Sequence, residues 1–396
     1  MKLKNYRFLL KNHYTYLYFA ALALLIFVLL YRLGNLVSGV SPGEVAAAQA
    51  KYGWHGLSNS FFYFPLKLVR SIDFKLFAVH GQSLTRLPNA LFGLLSALSF
   101  SFIIYVWHGK KISILSTFLF ITAAWFLHAS RLASYDILYL WGSISLLLTQ
   151  CLLSEYSESK LATLLSFFIW GLLLTIPGFI YLLLVFFVLE KNLIIVAYFK
   201  NSTNTYKLLD ILALIIWLPL TIKTLIHSAN LKIYLGLPSH FPNIGHITKD
   251  FFAVAVHLFI RGPEYTNIWL GKAPILDFFV LALCVIGIYF YITHIKSSRA
   301  KLLFSLFTAS YILIALGGAV TLSLIVPFAY IFAATGMAYL LHEWFSVFPK
   351  NPIARRLGIS ILCLAVFFSS LYNLRAYFVA WRHDPTTHQS FNRRLE

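Results

Sequence analysis

The sequence predicts an all-α polytopic membrane protein with about eleven transmembrane helices and two long outer loops. Three observations carry that expectation. Of the 396 residues, 60% are hydrophobic and only 11% are charged, whereas a soluble domain carries about a quarter charged residues. Apolar runs long enough to cross a bilayer recur along the whole chain, and mean hydropathy is +0.77. Period-two alternation of the barrel kind is absent, so helices are what remains to satisfy the backbone in lipid. The chain reads as one integral membrane domain over residues 1–396.

In order, spans are expected near 14–33, 87–106, 112–128, 136–153, 161–175, 177–190, 208–225, 275–293, 302–316, 319–341 and 358–380. The first follows a basic N-terminus (Lys2, Lys4, Arg7, Lys11). No small-residue cleavage site follows it, so it reads as a retained helix. The run 161–190 is broken by Pro177-Gly178. At about 1.5 Å per residue each half only just spans, and a re-entrant pair fits as well. Gly317-Gly318 breaks 302–341 in the same way. The tail Trp381–Glu396 is polar and basic and reads as a mobile outer extension. No internal repeat supports an inverted-repeat transporter.

Short basic connections at 107–111, 154–160, 191–207, 294–301 and 342–357 put the N-terminus in the cytoplasm and the C-terminus outside. The long loops, about 34–86 and 226–274, then share the outer face with the connections at 128–135 and 175–178. The localisation expected is the plasma membrane. A net charge of +19, from 32 Lys+Arg against 13 Asp+Glu, fits this topology and attraction to anionic membrane lipids. The cations are scattered among loops and form no basic domain, so no nucleic-acid partner is expected. Cys151, Cys284 and Cys363 fall in apolar segments and offer neither a disulfide framework nor a metal spacing.

The first outer loop holds most of the candidate chemistry. Ser41-Pro42-Gly43-Glu44 is a capping box: Ser41 as N-cap, Pro42 at the first helical position, Glu44 three residues after the cap. Glu44 also suits a general base at the bilayer edge, and the two roles are compatible. Tyr63-Phe64-Pro65-Leu66, followed by Lys67 and Arg70, fits either interfacial anchoring with snorkelling cations or phosphate binding. Arg86-Leu87-Pro88 opens the second span. Its arginine either snorkels or clamps an anionic headgroup.

Two further segments add candidates. His128-Ala129-Ser130-Arg131-Leu132-Ala133-Ser134-Tyr135-Asp136 joins two apolar helices. Ser134 could cap the second helix and Asp136 complement its dipole. Ionisable residues at a span end are also site candidates, which brings in His128, Arg131 and Asp136. The second loop carries His227, His240, His246 and His257 with Arg261, Glu264, Tyr265 and Lys272. No pair there has a zinc-like helical spacing, and Gly262-Pro263-Glu264-Tyr265 reads as a turn.

The order of these segments resembles the GT-C membrane glycosyltransferases of the protein O-mannosyltransferase and aminoarabinose-transferase type. The likeness runs over about residues 14–190 and returns around Pro327 in Val320–Leu341. It implies a sugar transferase with a polyprenyl-phosphate-linked donor and an active site on the outer face. Glu44 matches the family's acidic residue in the first loop, which acts as base or metal ligand, so a divalent metal is compatible with the resemblance. Asp136 matches the acid after the third span, and Arg86 and Arg131 match basic positions facing the phosphate. The chain departs from the pattern twice. Gly43 stands where the family often has Asp, and Tyr63-Phe64 precede Pro65 where it often has Lys and a second Pro.

The chemistry can be stated without the family. A lipid phosphate is a good leaving group, so cations must stabilise it, and the acceptor hydroxyl needs a base and in-line placement. A single displacement inverts the anomeric carbon. The acceptor could be protein, lipid or glycan. Two other readings remain open at this point: a transporter or flippase of an anionic lipid-linked substrate, and a catalytically inactive relative serving as a partner subunit.

Overall fold

The computed structural model describes residues 13–37, 39–49, 62–77, 81–201, 204–215, 222, 228–263 and 272–393. Among them every regular element is helical, apart from one isolated antiparallel bridge between Val40 and Arg393. The first third comprises α1 (His13–Leu30), α2 (Pro42–Gln49), α3 (Phe64–Phe77), α4 (Gln82–His108), α5 (Lys110–Thr122) and α6 (Ala124–Arg131). Next come α7 (Asp136–Glu155), α8 (Lys160–Leu173), α9 (Phe179–Leu189), α10 (Lys191–Asn201), α11 (Asn204–Ile215), α12 (Ser228–Tyr234) and α13 (Ile244–Phe259). The last third holds α14 (Phe278–Thr293), α15 (Ser298–Ala315), α16 (Val326–Val347), α17 (Pro352–Arg375) and α18 (Pro385–Ser390).

The all-helical architecture is as the sequence predicts, but among the described residues the expected spans do not map one to one onto long helices. Five described helices are long and apolar enough to cross a membrane, or seven if each of two bent pairs counts as one span. Hydropathy counts apolar residues without regard to breaks, and here the breaks matter. The expected span 112–128 is α5 and α6, bent by 65° at Ala123; the expected span 177–190 is α9, and the connection expected after it is helical, α10, bent from α9 by 78°. Three more apolar helices fall in the shorter 10–17-residue class, among them Lys160–Leu173; at about 1.5 Å per residue, 14 residues cover only some two thirds of the hydrocarbon core. The expected span 208–225 lies partly outside the described residues, as do Lys2, Lys4, Arg7, Lys11, His227, Glu264 and Tyr265.

Central α7 and the first half of α16, Val326 to Met337, are buried nearly all round, while α17 exposes Phe367, Phe368 and Leu371 outward. That gradient is expected when lipid, not water, covers the rim. The tightest crossing joins α14 and α16. A Cβ on Gly287 would stand 1.8 Å from the Phe332 carbonyl oxygen, and one on Gly336 would stand 2.0 Å from that of Leu283. Small residues let the two backbones meet, as in membrane helix packing generally.

The two long loops are largely helical where they are described. In the first, α2 begins at the capping box and α3 carries Lys67 and Arg70 on one face, three residues apart. The helix expected to open at Arg86-Leu87-Pro88 begins earlier, at Gln82, so Pro88 lies inside it rather than at its first turn. The Gly81 carbonyl accepts the Thr85 N–H at 3.1 Å and starts that earlier turn. In the second loop, α13 places Asp250, Ala253, Val254 and His257 at helical spacing.

The loops meet at one end of the bundle. Ala133 N–H donates to Glu44 at 3.1 Å, Tyr63 N–H to the Thr175 carbonyl at 3.0 Å, and Gly178 N–H to the Tyr234 carbonyl at 2.9 Å. The tail does not behave as the expected mobile extension over its described part. Val40 N–H donates to the Arg393 carbonyl at 3.0 Å, and Trp381 and Phe391 are buried against each other with ring centroids 5.5 Å apart. Its composition is polar, but these two aromatic residues anchor it.

Candidate active site

The candidate residues fall into two groups. Glu44, Arg86, Arg131 and His128 are buried and form a frame. Tyr63 and Arg70 gather on the Tyr135 ring, with Lys67 on the same helix as Arg70, and the neighbouring Asp136 lines a cleft.

The frame is built on Glu44, which is 2% exposed. Ser41 N–H donates to its Oε2 at 3.0 Å, and Glu44 N–H donates to Ser41 Oγ at 3.3 Å, so the capping box is formed. Arg86 grips the same carboxylate with two bonds, Nε to Oε1 at 2.8 Å and Nη2 to Oε2 at 3.0 Å. With Ala133 N–H on Oε1, each oxygen accepts two bonds, which fills a carboxylate's usual capacity. Burial works to raise this carboxyl, but the Arg86 hydrogen bonds and charge, with the Ser41 and Ala133 N–H groups, outweigh it and hold it below its ordinary value. In this geometry Glu44 has no lone pair available to an acceptor hydroxyl.

Arg86 also donates to the carbonyls of Leu33 at 3.1 Å and Gly39 at 3.2 Å. It thereby folds the chain after α1 onto α4. Arg131 caps the C-terminal end of α1, donating to the Val28 and Tyr31 carbonyls, with its guanidinium over the rings of Tyr377 and Phe378 at 5.3 and 4.9 Å. His128 stands edge-on to Tyr377 and Trp381 at 4.8 and 4.7 Å. Both side chains are enclosed by the C-terminal segment.

The second group presents its polar atoms differently. Arg70 is 2% exposed. Its Nη2 donates to Asn89 Oδ1 at 3.2 Å, and its guanidinium lies 5.6 Å from the Tyr135 ring centre. Its Nε and Nη1 are buried with no hydrogen-bond partner. Asn89 is itself fixed, donating to the Ser134 carbonyl at 2.7 Å. On the same helix, burial, reinforced by the Arg70 charge, lowers Lys67 to about 8. Tyr63 sits in left-handed backbone at φ 58°, an uncommon conformation for a bulky residue. Its ring stacks on Tyr135 at 4.2 Å and its hydroxyl faces that of Tyr139 at 3.4 Å. Tyr139 donates in turn to the Ala319 carbonyl at 3.0 Å.

Asp136 opens α7 beside the hydroxyls of Ser134 and Thr321 and lines a cleft of about 550 Å³. The other walls are Asp250, Ala253, Val254 and His257 of α13 and the turn Gly317–Leu322. Gly317 takes φ 68° there, which favours glycine.

Asn89, Tyr139, Thr321 and Asp250 were not singled out by sequence. Asn89 directly follows Arg-Leu-Pro, and Tyr139 lies one turn after Tyr135, so both were within reach of helical spacing. Asp250 was hidden because its stretch reads as loop. A metal does not fit what is described: no three His, Cys, Asp or Glu side chains among the described residues form a group able to hold one, and the Glu44 oxygens are already engaged.

No family model matches the sequence, and no curated protein matches it by sequence. Solved structures do match in fold. ArnT from Cupriavidus metallidurans bound to undecaprenyl phosphate superposes with a TM-score of 0.63 at 12% identity, over 92% of this chain and 76% of that one. The apo state of ArnT gives 0.60 at 12% identity, over 96% and 77%. The archaeal oligosaccharyltransferase AglB from Archaeoglobus fulgidus, in complex with an inhibitory peptide and a dolichol-phosphate, gives 0.57 at 13% identity, over 91% of this chain. This chain spans only 56% of AglB. The fold is therefore GT-C-like, and the chain is an integral membrane protein of that architecture.

Proposed function

We propose that the protein is a glycosyltransferase that moves a sugar from a polyprenyl-phosphate-linked donor to an acceptor hydroxyl on the outer face of the plasma membrane, with inversion. One observation carries this reading: the Arg70 guanidinium is buried with two nitrogens unpaired. A buried charge lacking a partner is costly, by several kcal/mol even after relaxation (~3–5 on breaking a pair). A lipid phosphate offsets that cost and matches the fork of the guanidinium bidentately. Lys67 adds a second cation, Asn89 fixes the orientation, and the stacked Tyr63 and Tyr135 form the wall beside them. The sugar then lies next to Asp136, whose carboxylate faces the charge that builds at the anomeric carbon. The ligands of the GT-C-like neighbours, undecaprenyl phosphate in ArnT and dolichol-phosphate in AglB, support the same donor class.

Glu44 is assigned the frame rather than the base. Arg86, Arg131 and His128 hold the loop, α1 and the tail in register. No step is routed through a metal.

The test is binding of undecaprenyl phosphate by the reconstituted chain and by Arg70→Met. We expect the variant to bind at least about tenfold more weakly, the equivalent of ~1.4 kcal/mol. Equal binding by the two proteins would refute the assignment. Flipping of labelled donor across the bilayer without any glycosylated product would instead favour a transporter.

A further inference from the structure

The cleft has a second wall, and its chemistry differs from that of the phosphate side. Among its described lining residues there are two carboxylates and one histidine but no lysine or arginine, in a chain of net charge +19. Asp136 is flanked by two hydroxyls. Asp250, on α13, is half-buried and makes no hydrogen bond or ion pair among the described residues. Its Oδ2 would stand 3.4 Å from a Cβ built on Gly317, so it faces the turn that floors the cleft. His257 lies two turns further along the same face, with Nδ1 3.1 Å from the Arg261 carbonyl. A ring nitrogen facing a carbonyl donates, which leaves Nε2 of the neutral ring as an acceptor.

The first loop supplies no free carboxylate at the position where a base was expected. Glu44 is saturated, and residue 43 is a glycine. On the strength of the donor-phosphate reading above, we propose that Asp250 is the base of the transfer reaction, and that α13 forms the acceptor wall for a neutral or cationic hydroxyl-bearing molecule. In the step, the acceptor oxygen forms a bond to the anomeric carbon. The bond from that carbon to the phosphate oxygen breaks, and its electron pair leaves on the phosphate beside Arg70 and Lys67. The acceptor's proton passes to the Asp250 carboxylate and from there to water. An anionic acceptor is disfavoured because both carboxylates face it.

The experiment uses the full chain in liposomes, with radiolabelled undecaprenyl-phosphate hexose and pentose as donor probes and membrane lipid, peptide and glycan fractions as acceptors. Asp250→Asn is isosteric at a position without a protein partner. We expect it to bind undecaprenyl phosphate within about twofold of the wild type and to transfer about 100-fold or more slowly, the scale of a lost general base. Asp250→Ala should behave the same way, and added formate should restore part of its transfer. A merely structural residue would show no such rescue. Transfer by Asp250→Asn within threefold of wild type overturns the inference, as does a loss matched by an equal loss of undecaprenyl phosphate binding. A wild-type chain that does not bind undecaprenyl phosphate overturns the donor reading beneath it, and that failure is visible before any acceptor is added.

Discussion

Replacing Glu44 by Gln separates a structural carboxylate from a catalytic one. Gln keeps the shape of the side chain and can still serve in a capping box. What it removes is the charge that Arg86 grips through two bonds of 2.8 and 3.0 Å. Arg86 would then be left buried against a neutral amide and the Leu33 and Gly39 carbonyls, with no negative charge to balance it. Removing one partner of a buried pair costs about 3–5 kcal/mol, or roughly two to nearly four orders of magnitude in the folding equilibrium. Thermal unfolding in detergent, read by the monodisperse fraction remaining, should show a clear drop for Glu44→Gln. Glu44→Ala should fall further by about 0.5–2 kcal/mol because the cap is lost too. The sign with pH follows from the lowered carboxyl. A group whose folded value is depressed stabilises fully above its unfolded value, about 4.3, and the benefit is lost as pH falls through the lower folded value. The gap between the two proteins should therefore be flat between pH 6 and 8 and close only in acid. If Glu44→Gln melts with the wild type yet has lost sugar transfer, the frame assignment is wrong and the base role stands.

Three further outcomes are expected. Affinity for undecaprenyl phosphate should fall as pH rises through about 8, where Lys67 loses its proton; Lys67→Arg should flatten that profile between pH 7.5 and 9.5, and an unchanged wild-type profile would remove Lys67 from the site. Gly287→Ala should abolish recovery of folded protein, because its Cβ would stand 1.8 Å from the Phe332 carbonyl, backbone that cannot yield; size-exclusion profiles of the expressed protein read this directly. Phe391→Ala should cost about 3–5 kcal/mol, since the ring is fully buried against Trp381, and protease should then cut the tail; a tail as resistant as in the wild type would show that it is not anchored there.

What the sequence made legible was local. The capping box is a pattern of four adjacent residues, and its two bonds are formed as spacing predicts. Lys67 and Arg70 lie three apart, so their shared face could be read once α3 was known to be a helix. The Glu44–Arg86 pair could not be read, because its members are 42 residues apart and each had a local role to explain it. Asp250 was hidden for another reason. Hydropathy averaged over the second loop is unremarkable, and the helical alternation of Asp250, Val254 and His257 is a periodicity, not a composition. Span counting failed where a kink follows no proline: nothing in Thr122-Ala123-Ala124 marks a 65° bend. The bend is held from afar, by Asn373 Oδ1 accepting the Ala124 N–H at 3.2 Å.

Under the proposed function, the two groups of candidate residues also account for a directional reaction in a chain so rich in cations. If every arginine near the cleft faced the substrate, the acceptor's proton would have nowhere favourable to go. Arg86 is instead engaged by Glu44 and by main-chain carbonyls, and the two terminal nitrogens of Arg131 by the carbonyls of Val28 and Tyr31. Arg70 keeps unpaired nitrogens beside Tyr135, while the cleft proper is lined by Asp136 and Asp250. In a medium of low effective dielectric such a separation acts strongly. Negative charge developing on the leaving phosphate moves toward a cation, and the proton moves toward a carboxylate. Under the proposed function, moving a cation into the acceptor wall should therefore slow transfer without weakening donor binding. Val254→Lys tests this, since Val254 lines the cleft one turn from Asp250. Undiminished transfer by a folded Val254→Lys protein would mean that the acid lining of the cleft plays no part in the chemistry.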